Sequence, residues 1–417
     1  MQISHIRPGL VLATEHLPMV RSAALGFWVR SGVNNEPAKW QGVSHFLEHL
    51  VFKGTDSRSA RQISESFDDI GGEVNAYTAK EYTCFYCKVV DEHLAQAVEI
   101  LTDMVCHARL DADDVAKERN VILEEVGMYE DSPEEYVHDL LARAIWPAGS
   151  LGRAILGTRQ SLAELTVDDI RQYYQQHYTT GNTVIAAAGS VDHASLESLL
   201  AARLDLSERD ADRLVAQEWS EPGAPILLER PTEQLHLTLG MPGLALGDER
   251  IYAWNLLNNI LGSGMSSRLF QRLREEHALV YSAYSYTASF RQAGYSAIYL
   301  GLAPRNLGQA LQLISGELAS LCRNPVSPEE LRRAKAQVKG AMIMGLESTA
   351  NHMSRMGRGL LMLGRVQPVE QVIAAIEAIT ADDLRSLANQ LFSRNQLAVA
   401  GIGNVEQVQG LLSDLSW

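Results

Sequence analysis

An internal repeat divides this chain into two halves of related sequence. The segment Leu-Thr-Val-Asp-Asp-Ile-Arg at 165–171 recurs as Ile-Thr-Ala-Asp-Asp-Leu-Arg at 379–385, an offset of 379 − 165 = 214 residues. The same offset relates Leu-Gly at 25–26 to Leu-Gly at 239–240. An offset that spans most of both halves indicates a duplication, and it predicts two homologous domains built on the same plan.

The repeated segments also predict local structure. Thr166 and Thr380 each precede acidic residues, which is typical of a helix N-terminus capped by a hydroxyl. Each helix leads to an apolar strand rich in small residues, at 184–189 and 397–401. Because strands come first, then helices, then a late strand, we expect an α+β fold in which largely antiparallel sheets pack with helices.

The length and the composition suit two globular domains. A chain of 417 residues exceeds one ordinary core and fits two domains of about 200 residues each. The charged segment 207–224, which contains Pro222 and Gly223, is typical of a linker. We therefore predict one domain at 1–206, which carries the candidate site, and its homologue at 225–417.

The charge and the hydropathy exclude several classes of partner. The net charge is −15, which argues against nucleic acid as a partner, because nucleic acid selects basic surfaces. No run of 18 apolar residues is present, and the first 12 residues lack the pattern of a signal peptide. We therefore expect a cytoplasmic protein without a membrane partner.

A short helix predicted at 42–54 carries a metal-binding pattern. His45 and His49 are four residues apart, so both imidazoles project from one face, with Glu48 on the adjoining side. Two neutral imidazoles suit zinc, and Glu48 is placed to accept a proton from a water at an open position. The alternative is that the histidines are ordinary core residues, and a third ligand would decide between the two.

Candidates for the third ligand lie on a helix predicted at 110–130. Glu118 and Glu125 are two turns apart and share a face, whereas Glu124 points about 100° away from Glu125. Glutamates on a helix usually face solvent, and the spacing leaves Glu118, Glu124, Glu125 and Glu130 all open as candidates.

The combined motifs resemble those of a known enzyme family. They are His-Phe-Leu-Glu-His at 45–49, Gly-Gly-Glu-Val-Asn-Ala-Tyr-Thr at 71–78, Glu-Arg-Asn-Val-Ile-Leu-Glu-Glu at 118–125, Ile-Leu-Gly-Thr at 155–158 and Leu-Gly-Ser-Gly-Met-Ser-Ser-Arg-Leu-Phe at 261–270. Together they resemble the pitrilysin family of inverted-motif zinc peptidases, especially the mitochondrial processing peptidase and its bacterial relatives. The resemblance covers nearly the whole chain and implies their metallohydrolase fold.

The resemblance also implies roles for individual residues. It makes His45, His49 and Glu125 the ligands of one zinc ion per chain, Glu48 the general base and Glu118 a residue that supports the site. The implied activity is zinc-dependent cleavage of short, unfolded or basic peptides. Zinc would polarise the scissile carbonyl, and Glu48 would carry a proton to the leaving amine.

Further residues resemble the family's means of holding a peptide. Asn75 and Ala76 match an edge strand to which the substrate is added by main-chain pairing, although an Asn after Gly-Gly is equally typical of a turn. Arg274 and Tyr281 match a pair that binds substrate near the zinc. Ala278 stands between them where family members often have Gly.

An acidic pair matches positions that processing peptidases use to bind an arginine before the cut. Glu135 and Asp139 are four residues apart, so in a helix they could hold one guanidinium together. The surrounding sequence is acidic, and the alternative is plain surface charge.

The second half lacks the ligands of the first. The repeat offset takes His45 to Asn259 and His49 to Ser263, so we expect no second zinc site. Family members with one such two-domain unit per chain form dimers, which implies a homodimer whose Arg274 and Tyr281 reach the zinc of the other subunit.

Two alternative functions remain open from the sequence. One is a catalytically weak scaffold or a partner subunit of a heteromeric peptidase, as among the respiratory-complex core proteins that resemble this family. Loss of the zinc motif would favour it, and here the motif is complete. The other is a metallohydrolase with a non-peptide substrate, which would need a closed small-molecule pocket instead of an edge strand.

Overall fold

The computed structural model describes residues 1–211 and 222–413. Most of the predicted linker, at 212–221, lies outside these residues. In the described part of the chain, none of the helices is long and apolar enough to cross a membrane.

The first half contains six strands and eight α-helices among its described residues. The strands are β1 (Gln2–Arg7), β2 (Leu10–His16), β3 (Ser22–Val29), β4 (Glu73–Thr78), β5 (Thr83–Val90) and β6 (Thr183–Gly189). The helices are α1 (Val43–Val51), α2 (Ala60–Asp69), α3 (Leu94–Cys106), α4 (Ala112–Glu130), α5 (Pro133–Ile145), α6 (Arg159–Glu164), α7 (Val167–His177) and α8 (His193–Ala201).

The second half has a similar order over its described residues. Its strands are β7 (Ile226–Glu229), β8 (Leu235–Pro242), β9 (Val280–Ser289), β10 (Gly294–Leu302) and β11 (Ala398–Gly403). Its α-helices are α9 (Ile251–Gly262), α10 (Leu307–Arg323), α11 (Pro328–Gly345), α12 (Thr349–Leu363), α13 (Val369–Ala378), α14 (Ala381–Leu391) and α15 (Val408–Ser413). A π-helix, Phe270–Glu276, follows α9.

The strands form two sheets, one from each half. The first sheet has the order β1-β2-β6-β3-β5-β4, and the second has the order β7-β11-β8-β10-β9. Only the pairs β2–β6 and β7–β11 are parallel among the described strands. The predicted α+β fold with largely antiparallel sheets is confirmed. Its edge strands are β1 and β4 in the first sheet and β7 and β9 in the second.

The repeat is visible in the helix caps and strand ends. Thr166 accepts a hydrogen bond from the Asp169 N–H, and Thr380 accepts one from the Asp383 N–H, so both predicted caps are present. At the ends of β6 and β11, Gly189 and Gly403 have φ of 119° and 127°. These left-handed values favour glycine, and the two positions are 403 − 189 = 214 residues apart.

The strand pairing gives β3 and β8 a repeat offset that differs from the 214 residues found elsewhere. Leu25 pairs with Ala187, and Leu237 pairs with Gly401. The offsets are therefore 237 − 25 = 212 for this strand and 401 − 187 = 214 for its neighbour. Because side chains alternate with a period of two, the two-residue difference keeps every side chain on its own face of the sheet.

Packing divides the chain differently from the sequence. Over the described residues, one compact unit contains residues 1–127, 153–211 and 345–366, and the other contains residues 128–152, 222–344 and 367–413. Consequently α5 packs on β8 and β11, whereas α12 packs on β2, β3 and β6. The predicted domains at 1–206 and 225–417 follow the repeat, but each sheet is covered by a helix from the other half.

Glycines allow both of these helices to approach closely. A Cβ at Gly26 would lie 2.7 Å from Met353 Sδ in α12, and one at Gly240 would lie 2.9 Å from Leu141 Cδ1 in α5. A larger residue at either position would force a side chain of the covering helix to move.

Candidate metal centre

The helix that carries the two histidines begins at a buried acidic cap. Gly42, with φ of 90°, precedes α1, and a Cβ there would lie 2.7 Å from Leu156 O. The carboxylate of Glu36 accepts hydrogen bonds of 2.9 Å from the N–H groups of Gly42 and Ser44. Burial raises the pKa of Glu36, and these N–H donors oppose the rise. Glu36, which the sequence did not single out, therefore fixes the start of α1.

Two imidazoles and one carboxylate converge next to this helix. Glu125 Oε2 lies 3.7 Å from His45 Nε2 and 3.6 Å from His49 Nε2. Ligands bound about 2.1 Å from a tetrahedral zinc ion are about 3.4 Å from one another, so the three side chains fit zinc. Among the described residues this is the one cluster of at least three His, Cys, Asp or Glu with ligand atoms within 4.8 Å of each other.

The His45 imidazole is in the protonation state that a metal ligand needs. Burial, with a contribution from the charge of His49, lowers the pKa of His45 to about 3. Its ring is therefore neutral at physiological pH. Its Nδ1 is buried and has no hydrogen-bond partner among the described residues. Of the two imidazoles, therefore, only that of His49 is held through its Nδ1.

His49 is held by a hydrogen bond from its second nitrogen. Its Nδ1 lies 3.1 Å from Glu118 Oε2, and the Glu118 side chain is only 7% exposed. The other oxygen of Glu118, Oε1, lies 2.8 Å from Lys53 Nζ. Glu118 therefore lies on the Nδ1 side of His49, and Glu125 lies on its Nε2 side with a side chain that is 44% exposed. Glu124 is exposed to solvent.

The carboxylate of Glu48 is oriented by the end of strand β4. The hydroxyl of Thr78 donates a hydrogen bond of 2.6 Å to Glu48 Oε2. Burial raises the pKa of Glu48, and the hydrogen bonds from Thr78 reduce that rise. Thr78 belongs to a motif recognised in the sequence, but its contact with Glu48 joins residues 30 positions apart, and no spacing rule predicts it.

Strand β4 has one open edge among the described residues, because it pairs with β5 alone. Along it, the odd-numbered side chains Glu73, Asn75 and Tyr77 are exposed, and the even-numbered ones are half-buried. Asn75 Oδ1 accepts a hydrogen bond of 2.8 Å from the Ala76 N–H. Asn75 and Ala76 therefore lie within an edge strand and not in a turn.

The other predicted substrate-binding residues belong to the second compact unit. Arg274 lies in the π-helix, with its guanidinium 5.1 Å from the ring centroid of Phe270. Tyr281, near the start of β9, is 62% exposed. Between them, Ala278 has φ of 50°, a left-handed value that favours glycine.

The predicted acidic pair lies on α5 in the same unit. Glu135 is exposed and Asp139 is half-buried. The pKa of Tyr129 is raised by burial and by the charges of Asp139 and Glu135, so both carboxylates act on that one ring. In the second half, Asn259 lies on α9, and Ser263 follows the end of that helix.

Two family models match this chain. The insulinase model of peptidase family M16 matches residues 11–159. The model of the peptidase M16 inactive domain matches residues 164–338. His45, His49 and Glu125 all lie within the first match.

Relatives of known sequence match almost the full length. The uncharacterized zinc protease YmxG of Bacillus subtilis is 41% identical over 399 residues, which cover 93% of this chain and 94% of the relative. An uncharacterized zinc protease of Streptomyces coelicolor is 41% identical over 402 residues, or 94% of this chain and 88% of the relative.

Solved structures share the fold. A protease from Helicobacter pylori superposes with a TM-score of 0.90 at 20% identity, over 96% of this chain and 98% of its own. The peptidase M16 inactive domain from Pseudomonas fluorescens gives a TM-score of 0.89 at 20% identity, over 96% and 97%. With its two family models and its near full-length relatives, this chain belongs to peptidase family M16, the pitrilysin family that its sequence resembles.

Proposed function

We propose that this chain is a zinc-dependent endopeptidase that cleaves short, unfolded or basic peptides. The observation that carries the proposal is the convergence of His45, His49 and Glu125, with ligand atoms within 4.8 Å of one another. Glu48 lies close enough for the charges of His49 and Glu125 to act on its pKa. A metal-ligand set beside a half-buried carboxylate is the arrangement that hydrolysis of an amide needs.

Each of these side chains has a distinct proposed role. His45, His49 and Glu125 would hold zinc, which when bound polarises a carbonyl and makes a water more acidic. Glu48 would accept a proton from the attacking water and deliver it to the leaving amine. Thr78 would hold the Glu48 carboxylate at the orientation required for this transfer, and Glu118 would hold His49.

The open edge of β4 supports a peptide as the substrate. A peptide added as a strand would pair with backbone groups around Asn75 and Ala76, which gives affinity without a strict sequence requirement. Arg274 and Tyr281 would contribute further substrate contacts. Glu135 and Asp139 would favour an arginine near the cut, in keeping with the net charge of −15.

The test is to map cleavage in a mixed peptide pool by mass spectrometry, with and without a chelator. We expect cuts that disappear with the chelator and return with zinc. Glu48→Gln should abolish cleavage and keep the metal, whereas Glu125→Ala should lose both. The matched control is Glu124→Ala, one residue away on the exposed side of α4. Loss of metal in the control and not in Glu125→Ala would refute the ligand assignment.

We further propose that the active site is shared within a homodimer, as the family resemblance implies. Glu48→Gln lacks the base and Arg274→Ala lacks the substrate contact, so each homodimer should be weak or inactive. If Arg274 acts on the other subunit, a mixed dimer has one complete site and about half of the wild-type activity. A verified mixed dimer without recovered activity would refute the shared site.

The alternative is a catalytically weak partner subunit of a heteromeric peptidase. The observation that supports this alternative is the match of residues 164–338 to the model of the peptidase M16 inactive domain. The same assay separates the two functions. A zinc-loaded chain that cuts no peptide by itself, but does so when mixed with a second M16 chain whose own base has been removed, would support the alternative.

A further inference from the structure

Lys53 and His49 contact the same buried carboxylate from two sides. Lys53 Nζ lies 2.8 Å from Glu118 Oε1, and His49 Nδ1 lies 3.1 Å from Glu118 Oε2. The contacts therefore use both oxygens of one side chain that is 7% exposed. Nothing in the zinc pattern itself requires a lysine four residues after the second histidine.

These contacts determine which nitrogen of His49 faces the metal position. An ionised carboxylate only accepts hydrogen bonds, and a lysine only donates them. With Lys53 donating to Oε1, Oε2 remains an acceptor, so the proton of a neutral His49 belongs on Nδ1. The unprotonated Nε2 then points to Glu125, 3.6 Å away, as a metal ligand requires.

The backbone around Lys53 is fixed by the end of α1. The N–H of Phe52 donates to His49 O at 3.2 Å, and the N–H of Lys53 donates to Leu50 O at 3.0 Å. Gly54 follows with φ of 132°, and a Cβ there would lie 3.0 Å from Arg58 O. The turn thus fixes the backbone from which the Lys53 side chain reaches Glu118 Oε1.

We propose that Lys53 is a positioning residue of the metal centre. By holding Oε1 of Glu118, it keeps the carboxylate from rotating away from His49 and so presents His49 Nε2 to zinc. The lysine acts only through Glu118 and does not touch the metal or the substrate. The inference rests on the proposed zinc site and adds a residue outside it.

The experiment measures zinc affinity instead of peptide cleavage. The zinc dissociation constants of Lys53→Met, Lys53→Arg, Glu118→Gln and the Lys53→Met/Glu118→Gln double variant are compared with wild type by competition with a chromophoric chelator. The matched control is Lys117→Met, because Lys117 lies next to Glu118 on α4, is 73% exposed and pairs only loosely with Asp114 at 3.7 Å. Thermal unfolding of each metal-free variant checks the fold, and Lys53→Gln replaces Lys53→Met if that variant does not fold.

The expected results follow from the chain of contacts. Loss of a residue that is hydrogen-bonded to a metal ligand weakens metal binding by about 10–100-fold. We expect a loss of zinc affinity in that range for Glu118→Gln. For Lys53→Met, which acts one contact further away, we expect a smaller loss of about 3–10-fold. Lys53→Arg should keep most of the affinity, and Lys117→Met should keep all of it. In the Glu118→Gln background Lys53→Met should have no further effect, because residues that act through one partner are not additive.

Two results would overturn the inference, and they are distinguishable. Unchanged zinc affinity in Lys53→Met, or a full additive loss in the double variant, would show that Lys53 does not act through Glu118, with the zinc site intact. A folded wild-type chain that binds no zinc would instead refute the proposed function and this inference together.

Discussion

Replacement of Thr78 by valine tests whether the edge strand orients Glu48, the proposed catalytic base. The change removes the hydroxyl that donates to Glu48 Oε2 at 2.6 Å and keeps the β-branched shape that suits a strand. Two acceptors lie near the Thr78 hydroxyl, because Thr83 donates its own proton to Ser31 O and can only accept from Thr78. The carboxylate oxygen of Glu48, at 2.6 Å, is closer than Thr83 Oγ1, at 3.3 Å, so the single proton of Thr78 is directed at Glu48.

The size of the effect follows from the hydrogen bond. A bond to a charged group contributes about 1.5–3 kcal/mol, and the backbone contact of Thr78 with Glu48 would remain. We therefore expect kcat to fall about 10–100-fold, since each factor of ten corresponds to about 1.4 kcal/mol. KM should change little, because the backbone of β4 is unaltered.

The assay is steady-state cleavage of a peptide identified by the mapping experiment, together with zinc content. Thr78→Ser keeps the hydroxyl and should restore most of kcat, while Thr78→Val should keep its zinc. An unchanged kcat in Thr78→Val, or an equal loss in Thr78→Ser, would refute the orientation of Glu48 by this hydroxyl.

Three further predictions concern stability and specificity. Burial alone would raise the pKa of Glu15, but its hydrogen bond with His352 at 2.8 Å and nearby positive charge lower it. The stabilisation of the fold by the ionised Glu15 is then complete above about pH 4.3, and it is lost as pH falls through the lowered pKa of Glu15. Glu15→Gln should accordingly be less stable than wild type in urea at pH 7, and the difference should shrink below pH 4. Ala278→Gly should raise the free energy of unfolding by up to about 1 kcal/mol, because it replaces an alanine held in the left-handed region. The greater freedom of glycine in the unfolded chain offsets part of this gain. A loss of stability in urea would contradict the strain assigned to Ala278. The double variant Glu135→Gln/Asp139→Asn should lose a preference for arginine near the cut and still cleave neutral peptides, and an unchanged cleavage map would reduce the pair to surface charge.

The proximity of the two histidines could be predicted from sequence because it depends on local geometry alone. His45 and His49 are one helical turn apart, and any α-helix brings them together. The proposed third ligand depends on how α4 packs, which spacing does not specify. The structure separates the glutamates by burial and direction, with Glu118 behind His49, Glu125 facing both imidazoles and Glu124 in solvent.

The residues that hold the site in place were harder to predict for the same reason. Glu36 caps α1 without belonging to it, and Thr78 reaches Glu48 from a different element. Single Glu and Thr residues in such positions are common and carry no periodic signal. Lys53 follows His49 by four residues, which is a periodic signal. The function of that spacing, however, depends on the position of Glu118 on another helix.

The repeat predicted the two sheets but not which helix covers each of them. Both sheets offer a glycine to a packing helix, Gly26 in one and Gly240 in the other, so the sequence is compatible with either assignment. The structure places α12 of the second half over the first sheet, where a Cβ at Gly357 would lie 2.1 Å from Trp28 Nε1. Trp28 is fully buried, and a segment limited to 1–206 would leave it without this cover. Because each half contributes a helix that covers the sheet of the other, each half of the duplicated sequence depends on the other to complete its core.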